Sequence, residues 1–129
     1  MVFDNLYLDS NGIVYECAHS NPPVEGEKKS VYEARLIRNV CQRIHSYIES
    51  VRPRNRLIVA FDGVAPVAKL NQQRERRYKA WLQRQVLDGQ GAPWDTCAIT
   101  PGTAFMVALG AGVKRHFSRK KYATLCVIV

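Results

Sequence analysis

The sequence predicts an α/β fold built on a parallel sheet. Three observations carry that expectation. Leu6-Tyr7-Leu8-Asp9 reads as a short strand that stops at a carboxylate. Residues 30–51 repeat apolar side chains at steps of three or four, the period of an amphipathic helix. Leu57-Ile58-Val59-Ala60-Phe61 is an unbroken apolar run ending at Asp62-Gly63, the pattern of a strand buried on both faces of a parallel sheet. Strand, helix, strand in this order is a βαβ unit. Asp9 and Asp62 are then expected to converge at the carboxyl edge of the sheet, where ligands gather in open α/β folds.

The elements follow in chain order. Ser10-Asn11-Gly12 reads as a turn, and residues 20–30, with Pro22, Pro23 and Gly26, as a loop. Ser30 opens the first long helix, with Glu33 three residues on as the other half of a capping box. Its apolar stripe runs Val31, Ala34, Ile37, Cys41, Ile44, Ile48 and Val51, and Pro53 marks the stop. A second helix starts near Pro66 and runs to about residue 85. Residues 88–95, with Asp88, Gly89, Gly91 and Pro93, form a loop. Thr100-Pro101 reads as a cap and first-turn proline. The helix beyond it places Phe105, Met106, Leu109, Val113 and Phe117 on one side. Gly110 and Gly112 weaken that helix by about 1 kcal/mol each relative to alanine, so close packing is the expected reason for them. Leu125 to Val129 is a third strand.

Composition bounds the rest. The 129 residues make one domain, and 47% apolar with 23% charged residues exclude disorder and a disulfide scaffold. No apolar run reaches the roughly 18–20 residues that span a bilayer. The first residues carry no basic segment ahead of an apolar one, so no signal peptide is read there. Three of the four cysteines, Cys17, Cys41, Cys97 and Cys126, sit in apolar contexts, and all are read as reduced. That fits an intracellular protein, with cytoplasm and nucleus both open. No second ligand pair accompanies Cys17 and His19, so zinc is not expected. The formal net charge is +8. Of eleven acids, seven (Asp4, Asp9, Glu16, Glu25, Glu27, Glu33, Glu49) precede residue 50, so the later, basic part is the candidate surface for an anionic partner.

Chemistry concentrates in two places. Lys69, Gln73, Arg76 and Arg77 fall within an arc of roughly 100° on the second helix. Such a face either encloses a phosphate, through arginine forks and a lysine point charge, or is simply solvated. Asp9 and Asp62 either cap turns or hold one divalent cation, since magnesium takes one or two carboxylates plus water and phosphate. Tyr78 and Trp81 flank the basic face. An aromatic at helical spacing is core more often than a surface on which bases stack.

The sequence resembles the Xrn-type 5′→3′ exoribonucleases in three motifs, which stand in the family's order. They are Asn5-Leu6-Tyr7-Leu8-Asp9-Ser10-Asn11-Gly12, then the long Asp62-Gly63-Val64-Ala65-Pro66-Val67-Ala68-Lys69-Leu70-Asn71-Gln72-Gln73-Arg74-Glu75-Arg76-Arg77, and Ile99-Thr100-Pro101-Gly102-Thr103-Ala104-Phe105-Met106. The resemblance covers nearly the whole chain. It implies a parallel-sheet, PIN-like 5′-nuclease core, with residues 1–129 as part of the N-terminal nuclease domain. It also implies magnesium (or manganese) and single-stranded RNA digested processively from a 5′-monophosphate end. Asp9 and Asp62 fall on metal-site, catalytic acids. Lys69, Gln73, Arg76 and Arg77 fall on the 5′-phosphate pocket, and Asn11 lies beside the catalytic aspartate. Tyr15 stands where the family has a stacking histidine, and Cys97 where it has an asparagine.

Family members begin earlier and continue into a loop with a glutamate pair and further aspartates. The chain is therefore expected to be a fragment, a truncated product or a degenerate copy, with an incomplete core that needs the remainder of the catalytic domain. By itself it is expected to be inactive. The alternatives are a non-catalytic RNA-binding remnant or a structural α/β domain.

Overall fold

The structure is a computed structural model that describes residues 1–87 and 94–129, without the side chains of residues 84, 85 and 87. The predicted loop residues Asp88, Gly89, Gly91 and Pro93 lie outside the described residues. The elements are β1 (Asn5–Asp9), α1 (Asn11–Ser20), α2 (Lys29–Val51), β2 (Arg56–Ala60), α3 (Val67–Leu87), α4 (Ala104–Phe117) and β3 (Cys126–Ile128). The three strands form one parallel sheet in the order β1-β2-β3. Leu6 pairs with Leu57 and Leu57 with Val127, so one face of the sheet presents an apolar row to the helices.

The α/β class and the βαβ unit are as expected. The burial of β2 is not. Leu57 and Val59 are fully buried, whereas Ile58 is half-buried, and its neighbours in register, Tyr7 and Ile128, are exposed. Among the described residues the sheet is thus covered on one face, with period-two alternation. Cys126 shares the open face, which is why its apolar context does not bury it. Cys17 and Cys41 are buried, Cys97 and Cys126 exposed, and all four are free thiols.

The core lies between the inner sheet face and α1, α2 and α4, centred on Val14, Leu36, Val40, Ile44, Leu57, Val59, Leu109 and Val113. The buried stripe of α2 is Tyr32, Leu36, Val40, Cys41, Ile44 and Ile48. Its first half is offset from the expected one, since Val31 and Ala34 are exposed. The capping box does not form: Lys28 is the N-cap, and Glu33 instead accepts a hydrogen bond from Trp94 Nε1 at 3.1 Å. A buried indole leaves a more costly orphan donor than an exposed helix end does. Helix α2 stops before Pro53, as expected, with Arg52 in the left-handed conformation and its N–H on Ile48 O at 2.7 Å.

Helix α4 presents Phe105, Met106, Leu109, Val113 and Phe117 to the core, as its spacing predicts. A Cβ on Gly112 would lie 2.7 Å from Ile37 Cγ2, so glycine there does mean close packing. Gly110 has open space around it and no such reason. Thr100-Pro101 is not the helix start. Thr103 N–H closes a turn on Thr100 O at 3.2 Å, and Gly102 stands at φ +84°. Proline then glycine at the two central positions is the type II pattern, which requires positive φ at the second. Thr103 is the N-cap of α4, accepting from Met106 N–H.

Candidate functional site

The site begins where β1 ends. Ser10 N–H donates to Ala60 O at 2.8 Å, which ties the exit of β1 to the end of β2. The expected turn at residues 10–12 is instead the start of α1, and a long-range clamp shows why. Asn11 Nδ2 donates to Asp62 Oδ2 at 2.9 Å, while Asp62 N–H donates to Asn11 Oδ1 at 3.1 Å. Asn11 is buried, and its amide is satisfied across 51 residues rather than within a local turn. The clamp holds the Asp62 carboxylate two residues beyond the end of β2, with Asp9 closing β1 on the neighbouring strand.

In front of this edge lies an open cleft of about 390 Å³. Asn11, Tyr15 and Asp62 form one wall, and Gln73, Arg76 and Arg77 of α3 form a second. The third is the stretch from Thr96 to Pro101. The predicted residues thus come together in large part. Asp9 and Lys69 are exposed and lie outside the lining. Among the described residues neither Arg76 nor Arg77 has an ion-pair partner, so both guanidinium groups stand open to solvent.

Tyr15 bridges two walls, its hydroxyl donating to Ile99 O at 3.3 Å. Burial pushes its phenol above the ordinary value, and the Cys97 thiol and the Asp62 carboxylate add to this against the opposing pull of Arg77. It therefore stays a neutral hydrogen-bond donor. The third wall shares only Ile99, Thr100 and Pro101 with the motif from Ile99 to Met106, and nothing in that motif's own sequence places it at the site. The available signal was Pro101-Gly102 between two threonines, a turn that fixes the approach to α4. Trp94 anchors this wall from behind, packing edge-on against Tyr32 at 5.2 Å and Phe105 at 5.3 Å.

A carboxylate facing two guanidinium forks and an amide suits an anion that is bridged to the acid by a hard cation. Among the described residues no group of three or more histidine, cysteine, aspartate or glutamate side chains converges to hold a metal.

Comparison with known proteins identifies relatives of the chain. The family described as XRN 5′-3′ exonuclease N-terminus matches residues 1–127. The 5′-3′ exoribonuclease 1 of Saccharomyces cerevisiae is 38% identical over 83% of this chain and 8% of its own length. The 5′-3′ exoribonuclease 2 of Eremothecium gossypii is 36% identical, and that of Saccharomyces cerevisiae 37%, each over 94% of this chain and 14% of its own length. The chain thus spans about a tenth of the length of these curated relatives. With its three motifs disposed around one cleft and the family match running almost end to end, the chain belongs to the XRN 5′-3′ exonuclease family.

Proposed function

We propose that the chain is part of a 5′→3′ exoribonuclease that hydrolyses RNA processively from a 5′-monophosphate end. The observation that carries this is the cleft itself, where Gln73, Arg76 and Arg77 face Asp62 across a space open to solvent. Arg76 and Arg77 grip the terminal phosphate, Gln73 donates an amide N–H to it, and Lys69 adds charge from the preceding turn of α3. Tyr15 stacks on the first nucleotide. Asp9 and Asp62 are the catalytic acids and hold magnesium or manganese, with Asn11 fixing the orientation of the Asp62 carboxylate. Two carboxylates at adjacent strand ends fit one hard cation that keeps water and phosphate as its other ligands. When bound, such a cation neutralises phosphate oxygens and activates water.

The test is a comparison of RNAs that differ only at the 5′ end. A dianionic terminal phosphate gains more from the cations than a bridging one, so a 5′-monophosphate strand should bind more tightly than its 5′-hydroxyl counterpart. Arg76→Ala should erase most of that preference, a loss of roughly 10- to 100-fold, because a hydrogen bond to a charged group is worth about 1.5–3 kcal/mol. Equal affinity for both ends at the same salt would overturn the assignment.

A second reading, an RNA-binding piece without turnover, is favoured by the described lining of the cleft, in which Asp62 is the one acid. Two-metal hydrolysis holds its ions about 3.5–4 Å apart and needs more carboxylates than Asp9 and Asp62. The 129-residue chain assayed by itself with magnesium should bind 5′-monophosphate RNA and release little or no mononucleotide. Processive degradation abolished by Asp62→Ala would show the two acids to be sufficient.

A further inference from the structure

The two aromatics of α3 are not core. Tyr78 is 62% exposed and Trp81 54%, and their rings lie nearly parallel, 25° apart with centroids at 6.0 Å. At about 100° per residue, Leu70, Arg74, Trp81 and Tyr78 fall within an arc of ~80° that begins where the Arg77 side of the cleft ends. Leu70 and Arg74 are exposed too. Glu75 falls outside this arc.

We propose that this strip, centred on Tyr78 and Trp81, is a platform on which unpaired nucleobases of the RNA stack as the strand leaves the phosphate-binding cleft. The inference rests on reading the cleft as an RNA site. Three features select this occupant. Two exposed rings that already lie nearly parallel offer flat apolar faces of the kind a base covers, and stacking of this sort accepts any base. Arg74 within the strip and Arg77 at its border supply positive charge for the backbone between bases. Trp81 is one helical turn, about 6 Å, beyond Arg77, so a strand whose end is held by Arg76 and Arg77 passes Trp81 within a nucleotide or two.

Trp81 also reports on the platform directly. The only other tryptophan, Trp94, is buried and hydrogen-bonded to Glu33, so quenching by a ligand on the α3 surface reads Trp81. The full chain is titrated with three strands of equal length. One is a 5′-monophosphorylated oligoadenylate, one its 5′-hydroxyl counterpart, and one a 5′-monophosphorylated abasic ribose-phosphate strand. The base-bearing strands should quench Trp81 emission and the abasic one should not. Trp81→Ala should weaken binding of the base-bearing strands about 10-fold and leave the abasic strand within about twofold, while Trp81→Phe keeps most of the affinity. Arg76→Ala should remove the preference between 5′ ends and leave the quenching in place. If the end preference is missing but quenching and the Trp81→Ala loss remain, the cleft reading fails and the platform stands. Equal affinity for base-bearing and abasic strands, or unchanged Trp81 emission at saturation, would overturn the platform. So would a Trp81 signal that changes with protein concentration alone, which would assign the strip to contact between two copies of the chain.

Discussion

Helices α2 and α3 are nearly equal in length, 23 and 21 residues, and they use their side chains in opposite ways. Helix α2 buries six side chains in a stripe that contacts α1 and α4 and fills the floor of the core. Among the described side chains of α3 only Gln73 and Ala80 are half-buried, and the rest are exposed. Most helical stability in proteins comes from burying an apolar face. Helix α3 lacks one, and it carries Lys69, Arg74, Arg76, Arg77 and Lys79 against the single described acid Glu75. Its cations repel one another, and a bound anion would relieve that repulsion. One helix thus holds the domain together, the other exposes a basic face that the proposed function assigns to a ligand, and substitutions should separate the two.

The largest separation should come from truncating each helix once. Leu36→Ala, at a fully buried position of α2, should cost about 2–5 kcal/mol in denaturant unfolding. Arg76→Ala, on the exposed face of α3, should stay within about 0.5 kcal/mol while it removes the 5′-end preference. A large stability loss for Arg76→Ala would break the comparison, since it would make α3 part of the core.

A smaller effect concerns pH. Burial pushes the Cys41 thiol of α2 from an ordinary 9.0 up to about 11, against a weaker opposing pull from Arg119. Between those values the unfolded thiol has lost its proton and the folded one has kept it. Unfolding then releases a proton, so stability falls as pH rises through this window, by about 1–2 kcal/mol at its upper end. Unfolding of wild type and Cys41→Ala across the same range should show a shallower decline in the variant. Parallel declines would remove Cys41 as the cause.

The smallest effect distinguishes two glycines of α4. Gly110→Ala should raise stability by up to about 1 kcal/mol, because nothing stands near the added methyl and alanine favours helix. Gly112→Ala should give no gain or a loss of about 1 kcal/mol, because its methyl meets Ile37 Cγ2 on α2. Ile37→Leu moves the branch away from Cβ and should recover part of that loss. Identical effects at both glycines would mean that α2 and α4 are not in close contact at Gly112.

The parts of the fold legible in the sequence were those written by short-range pattern. The apolar runs of β1, β2 and β3 mark strands by composition, and the face of α4 and the arc of Gln73, Arg76 and Arg77 are set by helical period, which survives folding. What the sequence hid depended on a distant partner. Residues 10–12 have turn chemistry, yet Asn11 enters a helix because Asp62 satisfies its amide. Ser30 and Glu33 have capping-box spacing, yet the carboxylate goes to Trp94. Tyr78 and Trp81 have core spacing, but no described element covers them, so the same spacing leaves them in solvent. The third wall of the cleft was legible only in part as a motif and not as a wall, because nothing local brings residues 96–101 opposite α3.

The clamp between Asn11 and Asp62 also bears on how the protein ages. Asn11 is followed by Gly12, and asparagine before glycine is the pair most prone to lose its amide, through attack by the next backbone nitrogen on the side-chain carbonyl carbon. In the folded chain that carbonyl is engaged by Asp62 N–H and the backbone is held in the first turn of α1, so the ring-forming geometry is out of reach. Once the region opens, the protection is gone. The cyclic imide formed as ammonia leaves hydrolyses to aspartate or isoaspartate, and either would set a second carboxylate against Asp62 and abolish the donated hydrogen bond. Folding of this corner thus acts as a preservative for the residue that orients the acid, and time spent unfolded would be recorded there as lasting chemical damage.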